Sequence, residues 1–157
     1  MADGPAAVIA VGNPLRADDG AGVEVVRRLA GRVPAGVRLI ELGGEPAELL
    51  DAWDELGTVV VVDAVRTGGE PGTVHHFDAS TEPLPARTGS ASTHGLGLAE
   101  ALELGRALGR LPGRVVVVGI EAEDRTLGGE LSRPVQDAIE DAAATVLAEF
   151  EHTAAAS

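Results

Sequence analysis

Two adjacent carboxylates, Asp18 and Asp19, stand in the loop Gly12-Asn13-Pro14-Leu15-Arg16-Ala17-Asp18-Asp19-Gly20. An apolar run, Ala6 to Val11, precedes the loop, and a helical pattern follows from near Ala21. Loops at strand-to-helix junctions carry chemistry in α/β folds, because ligands bind in the crevice beyond the carboxyl ends of parallel strands. Taken alone, the pair reads equally well as a solvated loop with Asp18 capping the helix, a role that accounts for only one of the two acids. A third carboxylate, Asp63, ends the run Thr58-Val59-Val60-Val61-Val62-Asp63. After five β-formers it falls at the carboxyl end of a central strand, where a buried charge is costly unless paired. The plainer reading is a buried Asp bonded to N–H groups of the next loop. His94 lies in Gly89-Ser90-Ala91-Ser92-Thr93-His94-Gly95-Leu96-Gly97-Leu98. A loop His is most often a surface residue. Here it precedes a helix whose dipole favours the neutral, ligating imidazole. The poor helix formers Gly95 and Gly97 also imply a close approach to the backbone.

One imidazole and carboxylates from the pair and from Asp63 make a nitrogen-and-oxygen donor set. It suits Ni, Zn, Fe or Mn and leaves positions for water or a substrate group. Cysteine is absent, which excludes disulfides, thiolate metal sites and a Cys nucleophile. His75, His76 and His152 are weaker candidates. The first two alternate faces of one strand and cannot both enter one site, and His152 lies in the tail.

Five strands and four helices must position these groups. Ala6–Val11, Val37–Leu42, Val59–Asp63 and Val115–Ile120 are nearly continuous in apolar character, as in strands buried on both faces. Thr73–Asp78 is more polar, and its connection from Asp63 is too short for a crossover helix, so it reads as an antiparallel strand at a sheet edge. Helical faces are marked by Val23, Val26, Ala30 and Val33; by Leu49, Leu50 and Trp53 after Pro46; by Leu98, Ala101, Leu102, Gly105 and Leu108; and by Val135, Ala138, Ile139, Ala142 and Val146. Ser132 is placed to cap the last helix, with Pro134 in its first turn. The order β-α-β-α-β-β-α-β-α predicts an α/β fold, a three-layer α/β/α sandwich with a mostly parallel sheet and one antiparallel edge strand. Right-handed crossovers put the first strand between the second and third.

At 157 residues the chain fits one domain, with residues 1–5 and 152–157 expected as frayed tails. A net charge of −13 argues against nucleic acid as a partner. All twelve basic residues are Arg, so no lysine is available for a Schiff base or a P-loop. No apolar run approaches the roughly 18 residues needed to span a bilayer, and the N-terminus lacks the basic start of a secretory signal. A cytoplasmic monomer without a membrane partner is expected.

With these motifs in order, the chain resembles the hydrogenase maturation proteases, which trim the C-terminus of nickel–iron hydrogenase large subunits. The resemblance rests on Gly12-Asn13-x-Leu15-x-x-Asp18-Asp19-Gly20-x-Gly22, on Asp63-Ala64, on His94-x-Leu96-Gly97-Leu98 and, less strongly, on Gly129-x-Leu131-Ser132. It implies a twisted five-stranded sheet and a metal site formed by Asp19, Asp63 and His94. It also implies that nickel already inserted in the large-subunit precursor is what the enzyme recognises, with no organic cofactor. Relatives often carry an acid before the double glycine after the second strand, where this chain has Leu42 before Gly43-Gly44.

Hydrolysis then needs a water activated by a carboxylate base or by the metal, with Asp18 as an outlying candidate for base or supporting group. Neither a Cys nor a Ser-His-Asp order with a nucleophile elbow is present, which disfavours an acyl-enzyme. The competing readings are a non-catalytic nickel-binding assembly factor with the same ligands and a receiver-like phosphoacceptor domain. The latter relies on a lysine this chain does not have.

Overall fold

The structure, a computed structural model, describes residues 5–13, 17–82, 97–123 and 130–156, with side chains as far as 151. Five strands, β1 (Ala6–Val11), β2 (Val37–Leu42), β3 (Thr58–Val65), β4 (Val74–Asp78) and β5 (Arg114–Glu121), form one sheet in the order β2-β1-β3-β5-β4. All neighbours are parallel except β4, which runs antiparallel to β5. The helices are α1 (Ala21–Leu29), α2 (Pro46–Trp53), α3 (Gly97–Leu108) and α4 (Arg133–Ala156). This is the expected α/β sandwich with β1 between β2 and β3, as right-handed crossovers require.

The sequence makes β3 and β5 central because valine after valine suits both faces of a pleat. Val60, Val62, Val116 and Val118 pack with α1 and α4, while Val59, Val61, Val115 and Val117 pack with α2 and α3. Side chains alternate along each strand, so Asp63, in phase with Val59 and Val61, shares the α2/α3 face. Each face thus has its own apolar layer, with Leu29 and Ile139 on one side and Leu49, Trp53 and Leu102 on the other. Among the described residues, no helix is long and apolar enough to cross a membrane.

Several boundaries depart from the sequence reading. Asp63 does not end its strand: β3 continues to Val65, because β5 runs on to Glu121 and pairs Ala64 with Ile120 and Val65 with Glu121. β4 is the antiparallel edge strand, but its neighbour is β5, inserted between it and β3. α1 stops at Leu29, so Ala30 and Val33 lie past its end, where Gly31 turns with φ +78°. α4 runs to Ala156.

Candidate active site

The acid pair sits on a short 3-10 turn, Ala17–Gly20, wedged between β1 and α1. Two glycines allow it to lie so low. A β-carbon on Gly12 (φ +136°) would come within 2.1 Å of the Asp19 carbonyl oxygen, and one on Gly22 within 2.4 Å of Val62 O and 3.0 Å of Val11 O. The start of α1 therefore rests on the exits of the adjacent parallel strands β1 and β3. That placement brings the Asp19 turn to the edge where β3 presents Asp63. Asp18, Asp19 and Asp63 are 0%, 4% and 0% exposed. Asp19 Oδ2 accepts a hydrogen bond of 3.0 Å from the Asn13 amide, which folds the chain leaving β1 back over the acid.

Asp18 takes a different part. It does not cap α1: the cap position is Gly20, with no side-chain bond. Its Oδ1 accepts the Ser132 amide at 2.7 Å, and its Oδ2 accepts the Glu123 amide and the Ser132 hydroxyl, both at 2.8 Å. Ser132 immediately precedes α4, yet its hydroxyl points to Asp18, and only its carbonyl, bonded by the Gln136 amide, serves the helix. Ala17, beside Asp18, holds a left-handed φ of +46°. For a non-glycine residue that costs about 1–3 kcal/mol and persists only where surrounding bonds enforce it. Behind the turn, on the α1/α4 side, lies a cavity of about 550 Å³ lined by Ala17, Gly20, Val23, Leu131 and Ile139 among others.

His94 lies outside the described residues, as do Pro14, Leu15, Arg16 and Gly129. Gly97, at the first turn of α3, packs so tightly that a β-carbon there would stand 2.0 Å from Gly44 O. The start of α3 thus meets the β2–α2 loop, Leu42-Gly43-Gly44, where Gly44 has φ +100°. Among the described residues, no three His, Asp or Glu side chains cluster closely enough to hold a metal ion. His75 and His76 diverge as expected, His75 to Glu121 and His76 to Glu149. The side chain of His152 is not among those described.

The sequence reading missed Glu121. It closes the run Arg114-Val115-Val116-Val117-Val118-Gly119-Ile120-Glu121, and an acid at the end of an apolar strand is the signal that singled out Asp63. At 2% exposure, Glu121 accepts the Thr67 amide at 2.9 Å, the Thr67 hydroxyl at 2.5 Å and His75 Nε2 at 2.9 Å. It thereby pins the chain leaving β3 just past Asp63. Burial by itself would raise its pKa, but the bonds from Thr67 and His75 outweigh that and hold it below the ordinary glutamate range. A depressed folded value means the contribution to stability is present above the unfolded pKa and is lost as pH falls through the folded one. Glu121→Gln is therefore expected to be less stable at neutral pH, with a flatter loss as pH falls through and below the ordinary glutamate range. Urea unfolding followed by the fluorescence of Trp53, the sole tryptophan, reads both effects.

The sequence profile described as hydrogenase maturation protease matches residues 23–149, a span that contains Asp63 and His94 and starts just after the acid pair. The hydrogenase expression/formation protein HupD of Bradyrhizobium diazoefficiens is 33% identical over 149 residues, 91% of this chain and 78% of its own. The hydrogenase 2 maturation protease of Escherichia coli is also 33% identical, over 90% of this chain and 87% of its own. Among solved structures, the hydrogenase maturating endopeptidase HybD from E. coli superposes with a TM-score of 0.81 at 28% identity, covering 96% of this chain and 94% of that one. The HybD protease from Thermococcus kodakarensis gives 0.70 at 30% identity, covering 91% and 97%. A mostly parallel sheet with buried acids at its carboxyl edge, in a chain matched in sequence and fold along most of its length, makes this protein a member of the hydrogenase maturation protease family, and a peptidase.

Proposed function

We propose that this endopeptidase removes the C-terminal extension of a nickel–iron hydrogenase large-subunit precursor after nickel insertion, and that it recognises its substrate by the inserted nickel. The observation that carries this reading is the burial of Asp19 and Asp63 at the exits of neighbouring parallel strands, in a chain of this family. In the proposal Asp19, Asp63 and His94 complete the coordination of the substrate's nickel. Two carboxylates and an imidazole suit a borderline divalent ion, and holding it fixes the scissile peptide in the crevice. The reacting water is activated by one of the carboxylates as base or by polarisation at the substrate's metal.

The test is co-expression of this chain with a nickel–iron hydrogenase large subunit, followed by intact-mass measurement. The expected result is a subunit shortened from its C-terminus only when the chain is present. A full-length subunit that nevertheless holds nickel would leave the chain without this role and favour the assembly-factor reading.

A further inference from the structure

We infer that Asp18 is a positioning residue of the peptidase, a clasp that ties the turn bearing Asp19 to the end of β5 and the start of α4. Three donors meet its two oxygens across sequence separations of 105 and 114 residues. Both of its oxygens are already engaged by protein donors, which leaves the carboxylate badly placed to take a proton from water. Its negative charge also lies at the N-terminal end of the 24-residue α4, where the helix dipole favours an anion. The left-handed Ala17 next to it needs enforcement from outside the turn, and the clasp supplies that enforcement. Asp19 follows directly in the chain, so the same bonds set where its carboxylate meets the Asn13 amide. The Leu131-Ser132 motif, which no part of the chemistry otherwise uses, is thereby explained: Ser132 supplies two of the three donors.

Asparagine at position 18 keeps the shape but replaces one acceptor with a donor, which sets N–H against N–H at one of the three contacts. The first measurement needs no substrate. Backbone amide exchange, read by NMR, is expected to quicken about tenfold or more at Asn13 in Asp18→Asn and in Ser132→Ala, with Val61 in β3 unchanged. Ser132→Thr keeps a hydroxyl and is expected to restore protection at Asn13. Unchanged exchange at Asn13, or equal quickening at Asn13 and Val61, would overturn the assignment.

The second measurement rests on the proposed function and uses nickel-loaded large-subunit precursor. Asp18→Asn is expected to raise KM about 10- to 100-fold, as loss of a supporting contact to a metal-gripping group does, with kcat changed far less. A fall in kcat of about 100-fold at unchanged KM would make Asp18 the base and overturn the clasp. Should the wild-type chain fail to cut the precursor while the exchange result holds, the fault lies with the proposed substrate and not with the clasp.

Discussion

Asp63→Asn is expected to fold normally and to leave the large-subunit precursor uncut, with kcat/KM reduced by about 100-fold or more. The side chain is fully buried on the α2/α3 face of β3, in phase with Val59 and Val61 and opposite Gly119 of β5. Asparagine is close to isosteric, removing the charge and exchanging one acceptor oxygen for an NH2 donor. If Asp63 serves the reaction, the variant matches or exceeds the wild type in thermal stability, because functional charges are held at the expense of stability. If Asp63 serves the fold, the order reverses: stability falls and the remaining folded protein still cuts. Measuring Tm and precursor cleavage on the same preparations separates the two. Asp19→Asn and His94→Ala are expected to lose cleavage to a similar degree.

Gly22→Ala is expected to destabilise the fold by about 3 kcal/mol or more. The new carbon would stand 2.4 Å from Val62 O and 3.0 Å from Val11 O, both backbone atoms of central strands that have no room to move. Relief would require lifting α1 off the sheet, and the Asp19 turn with it. Gly43→Ala is the control: nothing lies within 4 Å of its β-carbon, and the change is expected to stay within about 0.5 kcal/mol. Urea unfolding monitored at Trp53 compares them. Equal midpoints for the two variants would contradict the close contact between α1 and the strand exits.

The architecture was legible because its strands are written in valine. Runs such as Val59 to Val62 and Val115 to Val118 read as buried strands, and the crossover rule then puts β1 between β2 and β3. Boundaries were less legible, because they depend on partners. Asp63 reads as a terminus until β5 is seen to extend alongside it. Ala30 and Val33 continue a helical period that the chain abandons at Gly31. Asp19 and Asp63 could be placed at one edge from strand-to-helix grammar alone. The role of Asp18 could not, since its partners Glu123 and Ser132 are over a hundred residues away and two of the three bonds described go to backbone amides, which carry no residue-type signal. Glu121 could have been found by the rule that found Asp63, but its partners meet it only through strand pairing, Thr67 by way of β3–β5 and His75 by way of β4–β5.

The most direct test is a side-by-side incubation of the purified chain with nickel-loaded and nickel-free precursor, each read by intact mass. Cleavage confined to the nickel-loaded sample is the predicted outcome. Equal shortening of both samples would show that the enzyme reads something other than the metal, and would remove Asp19, Asp63 and His94 as its means of recognition.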